Sequence, residues 1–232
     1  MTMRRVLKFL VATMVILAGA GCSVLPEKAP LTVYKLPMPS AMPPVSHAVA
    51  LKNSDSASSI GIEPTARKGM TEHASDNSIR ILMPTSTALL NSDRILVSRS
   101  AYQVSAYKGV RWQDQIPRML RLHLAQALKT NGRWQAVITD GNTVRTGYQL
   151  AGELLDFQVY EDAEGRLVKV AFDATLINVN ENRVVAARPF LVNQPVTGPD
   201  FDQVIASFGK ATERLGSEVN AWVQFNTAQP GN

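Results

Sequence analysis

The sequence predicts an α/β (α+β) domain in which a mixed, largely antiparallel sheet packs against two long helices. Three observations carry that expectation. Residues 114–130 place Ile116, Leu120, Leu124, Ala127 and Leu128 at three- and four-residue spacing, one apolar stripe along a helix. Three later runs, 146–160, 166–179 and 183–192, alternate apolar and polar residues and are divided by turn-rich stretches at 162–165 and 180–182, the pattern of an antiparallel meander. A second helical stripe, Phe201, Val204, Phe208, Ala211, Leu215, Val219 and Trp222, follows them.

In chain order, residues 1–22 begin with Arg4, Arg5 and Lys8, continue with an apolar run at 9–18, and end in small residues and Gly21-Cys22. This is the layout of a secretory signal, and the run falls short of the roughly 20 apolar residues of a membrane span. Residues 23–31, with Pro26 and Pro30, form a short tether, and 32–36 a short strand at the edge of the sheet. Residues 37–77, with five prolines and many serines, have the composition of a disordered loop. Strands are expected at 78–84, closed by Pro84, at 94–98 and at 102–107, with a turn-rich excursion at 85–93.

The first helix has Asp114 as a candidate N-cap, Pro117 in its first turn and Asn131-Gly132 as its stop, and it runs into a strand at 134–139. In 146–160 the apolar face moves from Tyr148, Leu150 and Gly152 to Leu155, Phe157 and Val159, which predicts a bulge near Leu154. Val168, Val170, Phe172, Ala174 and Leu176 alternate without a break, whereas Val184, Ala186, Phe190 and Val192 keep phase only in part. Pro189 belongs at an edge or an irregularity. Asp200 can cap the last helix with Gln203 reaching back, and its polar face carries Lys210, Glu213, Arg214 and Glu218, both signs together. Mixed charge argues against a free membrane-surface helix and for packing on the sheet beside the first helix.

The formal net charge is +5, but three of the 24 basic residues lie in the first 21 positions, and 19 acids face the remainder. That near-neutral, interspersed pattern excludes a nucleic-acid partner, which needs a concentrated cationic face. Cys22 is the single cysteine, so neither an internal disulfide nor a cysteine metal cluster can form. His47 and His73 fall in the low-complexity stretch, and His123 reads as a partly exposed helix residue at the edge of the apolar stripe. No Ser or Cys is paired with a positioned base, no ligand spacing suits a metal, and no Gly-rich loop cradles a phosphate. Glu153 with Asp156, and Glu161 with Asp162, read as solvated charges rather than an acid–base pair. The chain is thus expected to be non-enzymatic and to use no cofactor or metal. Tyr107, Arg111 and Trp112, beside the start of the first helix, are candidate partner-interface residues, although packing against the sheet is the preferred reading for the aromatics and a solvated face for the arginine.

Residues 1–22 resemble a bacterial lipoprotein signal, cleaved between Gly21 and Cys22, with Cys22 acylated. Ser23 after it resembles the signal for release to the outer membrane. Beyond that signal come TVYKLP, RILMP, Leu90 with Asp93-Arg94-Ile95, and Tyr107 ahead of Arg111-Trp112-Gln113-Asp114-Gln115-Ile116-Pro117. LAQALKTNGRWQAV, LLDFQVY, and Arg188 with Phe190 before the last helix complete the set. In this order and spacing they resemble the ABC-type transport auxiliary lipoprotein family, with the auxiliary component of intermembrane lipid (cholesterol-type) transport systems as the nearest match. The likeness covers 31–225 apart from 37–77.

The resemblance implies a signal peptide at 1–21, a tether at 22–31, and a single periplasmic domain at 32–226 with the internal loop 37–77 and a tail at 227–232. It also implies an anticodon-binding-domain-like fold, attachment to the outer membrane by membrane lipid on Cys22, and no catalytic residues. Its expected partners are a protein with mammalian-cell-entry domains and, indirectly, an inner-membrane permease and ATPase; a homo-oligomeric ring is a further expectation. The competing function is a periplasmic lipid- or lipopolysaccharide-assembly lipoprotein that holds cargo itself. A lined apolar cavity between helices and sheet would favour cargo, and a filled core with an exposed apolar patch would favour docking.

Overall fold

One strand of 17 residues holds the sheet together. The computed structural model describes residues 30–38, 75–130, 132–139 and 144–228. All but Pro30 belong to a unit spanning Leu31–Asn232. Its elements are β1 (Thr32–Tyr34), β2 (Ser75–Ile81), β3 (Thr85–Ser86), β4 (Arg94–Ser100), β5 (Gln103–Trp112), α1 (Ile116–Lys129), β6 (Ala136–Ile138), β7 (Thr146–Asp162), β8 (Gly165–Asn178), β9 (Arg183–Pro195) and α2 (Phe201–Ala228). Most of the stretch expected to be disordered lies outside the described residues. Within 37–77, Ser75 to Asn77 belong to β2, which starts earlier than the apolar pattern alone indicates.

β7 has one edge given wholly to β8, antiparallel from Tyr148↔Asn178 to Asp162↔Gly165. Its other edge is shared. The first part runs parallel to β2, with Ile79 beside Tyr148 and Ile81 beside Leu150; the middle meets β3; the last part runs parallel to β4, with Leu96 beside Gln158 and Ser98 beside Tyr160. β2 carries β6, while β4 carries β5 and β5 carries β1. β9 lies antiparallel to β8. The sheet is mixed, and its long pairings are the antiparallel ones, so the predicted fold class holds.

The register follows the side chains. Val168, Val170, Phe172, Ala174 and Leu176 alternate on β8 and are all buried. On β7 the pairing slips between Leu154 and Asp156, leaving Leu155 without a partner. The bulge was legible near Leu154, but the inward face is Leu150, Leu154, Phe157 and Val159, while Leu155 is 49% exposed. A second slip, opposite Leu176 and Ile177, turns Val184 outward and leaves Val185 against the core. β9 pairs only with β8 among the described residues, which lets Pro189 sit in mid-strand without removing an inner ladder bond.

α1 starts at Ile116, and its N-cap is Gln115 rather than Asp114. The Ile116 N–H donates to the Ser92 carbonyl at 3.0 Å, so the preceding loop satisfies the helix start. Asp114 instead accepts the Gln115 N–H at 2.8 Å and pairs with Arg118 at 3.2 Å. Gly132, at φ 62°, follows the helix as its stop. β5 runs on to Trp112, five residues past the expected strand end, and β6 is shorter than the expected 134–139.

Both helices bury their stripes against the sheet, and each fully buried Leu, Ile or Phe contributes roughly 1.5–3 kcal/mol. Two glycines set how closely α2 is approached. A Cβ on Gly216 would lie 2.9 Å from Ala127 Cβ of α1, and one on Gly209 would lie 2.8 Å from Pro37 Cβ. Glycine in a helix interior costs up to about 1 kcal/mol against alanine. Here it admits α1 on one side and the segment after β1 on the other.

Candidate functional site

The three predicted interface residues share the end of β5 but go to different places. Trp112 is 1% exposed and packs edge-on against Phe208 at 5.1 Å and Phe157 at 6.1 Å. It is a core residue, so the packing reading holds and its candidacy as a partner-interface residue is corrected: the last residue of β5 points under α2. Tyr107 is half-buried, edge-on to Phe201 at 4.9 Å, with the Arg99 guanidinium 5.9 Å from its ring. Burial, helped by Glu161, raises its phenol pKa against the opposing charges of Arg166 and Arg99. Arg111 is exposed and pairs with Asp93 at 3.3 Å. Gly21 and Cys22 lie outside the described residues.

His123 is buried, 3% exposed, where the helical stripe had placed it at a partly exposed edge. The backbone of Leu36, just after β1, lies near its ring. Burial lowers the imidazole pKa to about 4; the nearby Leu36 carbonyl acts in the opposite direction. Neither ring nitrogen has a hydrogen-bond partner of ordinary geometry.

Of the carboxylates considered, Glu153 is exposed and Asp156 is 8% exposed. The Tyr160 hydroxyl donates to Asp156 Oδ2 at 2.7 Å, Gln158 Nε2 donates to the Tyr160 oxygen at 2.7 Å, and Lys169 Nζ lies 3.3 Å from Oδ2. Burial raises the Asp156 pKa, opposed by Tyr160 and Lys169. Glu161 pairs with Arg99 at 2.9 Å, and Asp162 accepts the Glu164 and Gly165 N–H groups of the β7–β8 turn. Asp156, Glu161 and Asp162 go to separate partners, Glu153 faces solvent, and the carboxylates do not converge as an acid–base pair. Among the described residues no three His, Cys, Asp or Glu side chains gather as a metal site.

Two surface hollows are lined by described residues. One, of about 320 Å³, lies between α2 and β9 and is lined by Arg188, Glu218, Ala221, Trp222 and Phe225. Phe225 is 66% exposed, Trp222 packs on Phe190 at 5.7 Å, and Arg188 lies 4.9 Å from the Phe190 ring centre. Phe225 was not singled out from the sequence. Its position three residues after Trp222 was the available signal, one more turn of the stripe than the sheet can cover. The other, of about 180 Å³, lies at the opposite end, between the β4–β5 turn and the end of β7, and is lined by Ser98 to Ala101 and Tyr160 to Asp162. Among the described residues no helix is long and apolar enough to cross a membrane.

The model of a family described as the ABC-type transport auxiliary lipoprotein component matches residues 61–220. The crystal structure of protein XCC0632 from Xanthomonas campestris is 24% identical, with a TM-score of 0.61 over 66% of this chain and 86% of that one. A crystal structure of an uncharacterized protein is 11% identical, with a TM-score of 0.58 over 84% of this chain and 99% of that one. At these identities the likeness is one of fold. No curated protein sequence matches the chain.

Proposed function

Because the chain belongs to the ABC-type transport auxiliary lipoprotein family, we propose that it is a lipid-anchored docking component of an intermembrane lipid transport system. In this reading Cys22, freed by cleavage after Gly21, carries the acyl chains, and each buried CH₂ contributes about 0.8 kcal/mol to anchorage at the outer membrane. The domain stands on the periplasmic face and meets a partner with mammalian-cell-entry domains; through it the permease and ATPase of the inner membrane are reached indirectly. The chain itself catalyses nothing.

The observation that favours docking over holding cargo is the filled space beneath α2. Trp112, Phe157 and Phe208 occupy it with ring centres 4.8 to 6.1 Å apart. A lipid chain would have to displace those rings, at several kcal/mol for each large side chain. Exposed apolar surface lies instead at Phe225 and the hollow beside it. Crosslinking in intact membranes, followed by capture of this chain and identification of what is attached, tests the reading. A protein with mammalian-cell-entry domains is expected. Lipid retained in near-stoichiometric amount, with no such protein, would favour the cargo-holding alternative.

A further inference from the structure

Among the described residues β9 pairs only with β8, and the direction of each backbone group along it follows from one bond. The Val196 N–H donates to the Arg166 carbonyl of β8 at 2.9 Å. From Ala186 to Pro195 the register against β8 runs without a slip, so the even-numbered residues turn their N–H and C=O toward β8. The odd-numbered ones turn away. Ala187, Leu191 and Asn193 each present both groups at the free edge, and Pro189 presents its carbonyl alone.

The C-terminal part of α2 lies beside this edge. Trp222 packs on Phe190, and the hollow of about 320 Å³ opens between Arg188 of β9 and Glu218, Ala221, Trp222 and Phe225 of α2. An edge strand and a helix with a hollow between them suit an extended segment. Backbone bonds to the strand supply its affinity, and every second side chain faces the hollow and supplies its specificity.

Charge narrows what that segment carries. Glu218 is already paired with Arg214 at 2.9 Å, whereas Arg188 has no carboxylate partner among the described residues and stands over the Phe190 ring. Trp222 and the exposed Phe225 suit an apolar side chain, and Arg188 suits a carboxylate. Arg188 shares the helix-side face with Phe190 and Val192, so both groups come from one face of the incoming strand, two residues apart. A second copy of β9 fits poorly. Antiparallel pairing centred on Pro189 sets two prolines opposite each other, and pairing centred on Leu191 sets Pro189 and Pro195 of each copy opposite Asn193 and Ala187 of the other, so donors are lost on both sides.

We propose that β9 takes an extended segment of the docking partner as a further strand, with an apolar side chain in the hollow beside Phe225 and an Asp or Glu two residues away at Arg188. This deepens the docking reading above and rests on it.

The test uses the full-length acylated chain in intact membranes, with photoreactive p-benzoylphenylalanine in place of Phe225 or, as a reference, of the exposed Leu122 on α1. Sequencing of the crosslinked peptide identifies both the protein and the segment caught. Position 225 is expected to catch a protein with mammalian-cell-entry domains, through a segment with Asp or Glu two residues from an apolar residue. Leu191→Pro removes a free-edge N–H that β8 does not use, and Arg188→Glu reverses an exposed charge. Each should lower the yield at 225 severalfold while the fold is retained by circular dichroism. If Leu191→Pro unfolds, Arg188→Glu decides alone. Undiminished yield in either folded variant overturns the strand addition, as does a crosslink from 225 to a second copy or within the same chain. A protein with mammalian-cell-entry domains caught at 122 and not at 225 overturns this site alone. Its absence at both positions overturns the docking reading, and this proposal with it.

Discussion

A neutral imidazole enclosed in apolar surroundings responds to acid in one direction. The pKa of His123 is lowered from 6.5 to about 4 in the folded chain, so between those values the unfolded chain binds more protons. Stability therefore rises with pH across that window and is lost as pH falls through it, by about 3 kcal/mol when the full window is crossed. Asp156, whose pKa burial raises, contributes the opposite slope and must be separated. Urea midpoints of the wild type and His123→Leu at pH 4 and pH 7 do so: the wild type should lose ground to the variant at the lower pH. A difference between the two that does not change with pH would mean the ring is not held neutral. Nothing local to α1 announces this burial. His123 sits at the edge of its own helix stripe, and the Leu36 backbone that meets it lies far away in sequence.

At the scale of elements, the helix pair and the segment after β1 are both gauged by backbone contact with α2. Gly216→Val would drive a branched side chain into Ala127, where a Cβ alone comes within 2.9 Å. Overpacking of this kind costs about 1–3 kcal/mol, and the urea midpoint should fall accordingly. An unchanged midpoint would mean that α1 and α2 separate freely. The segment at 30–38 makes its own prediction. Leu36 is 4% exposed, Tyr34 packs on Phe201 at 5.2 Å, and the Gln113 N–H donates to the Tyr34 carbonyl at 2.8 Å. A protease site introduced at residues 61–73, once cut, should leave the Cys22-side fragment bound under native conditions and release it only in denaturant. Free release after the cut would show that β1 does not hold. The elements themselves were legible wherever one face is buried at a fixed period, as in β8 and α2. Leu155 and Val184 were misread because a bulge reverses the face at a single residue, and an apolar side chain does not record on which side of the slip it stands.

For the whole molecule, anchor and domain should be separable. Cys22→Ser removes the only sulfur that can carry the acyl group, so the precursor should stay unprocessed and take up no palmitate. The fold described from Leu31 onward does not involve that residue. Undiminished palmitate incorporation in the variant would refute the anchor. The β7–β8–β9 meander was legible because its partners are neighbours in sequence. The parallel pairings of β7 were not, because β2 and β4 reach it across some seventy and sixty residues, and no local pattern encodes a partner at that distance.

The shared edge of β7 also governs the order in which the chain can fold. Ile79 pairs with Tyr148 and Val97 with Val159, so two early strands find their common neighbour only when the chain is two-thirds delivered. A chain delivered N-terminus first leaves the edges of β2 and β4 that face β7 unpaired until β7 arrives, and long-range parallel pairing is slow even then. Until that moment Ile79, Ile81, Ile95 and Leu96 lack their cover from β7, which is an aggregation hazard if delivery of the chain stalls. The first half of this domain therefore completes its fold only when its second half follows.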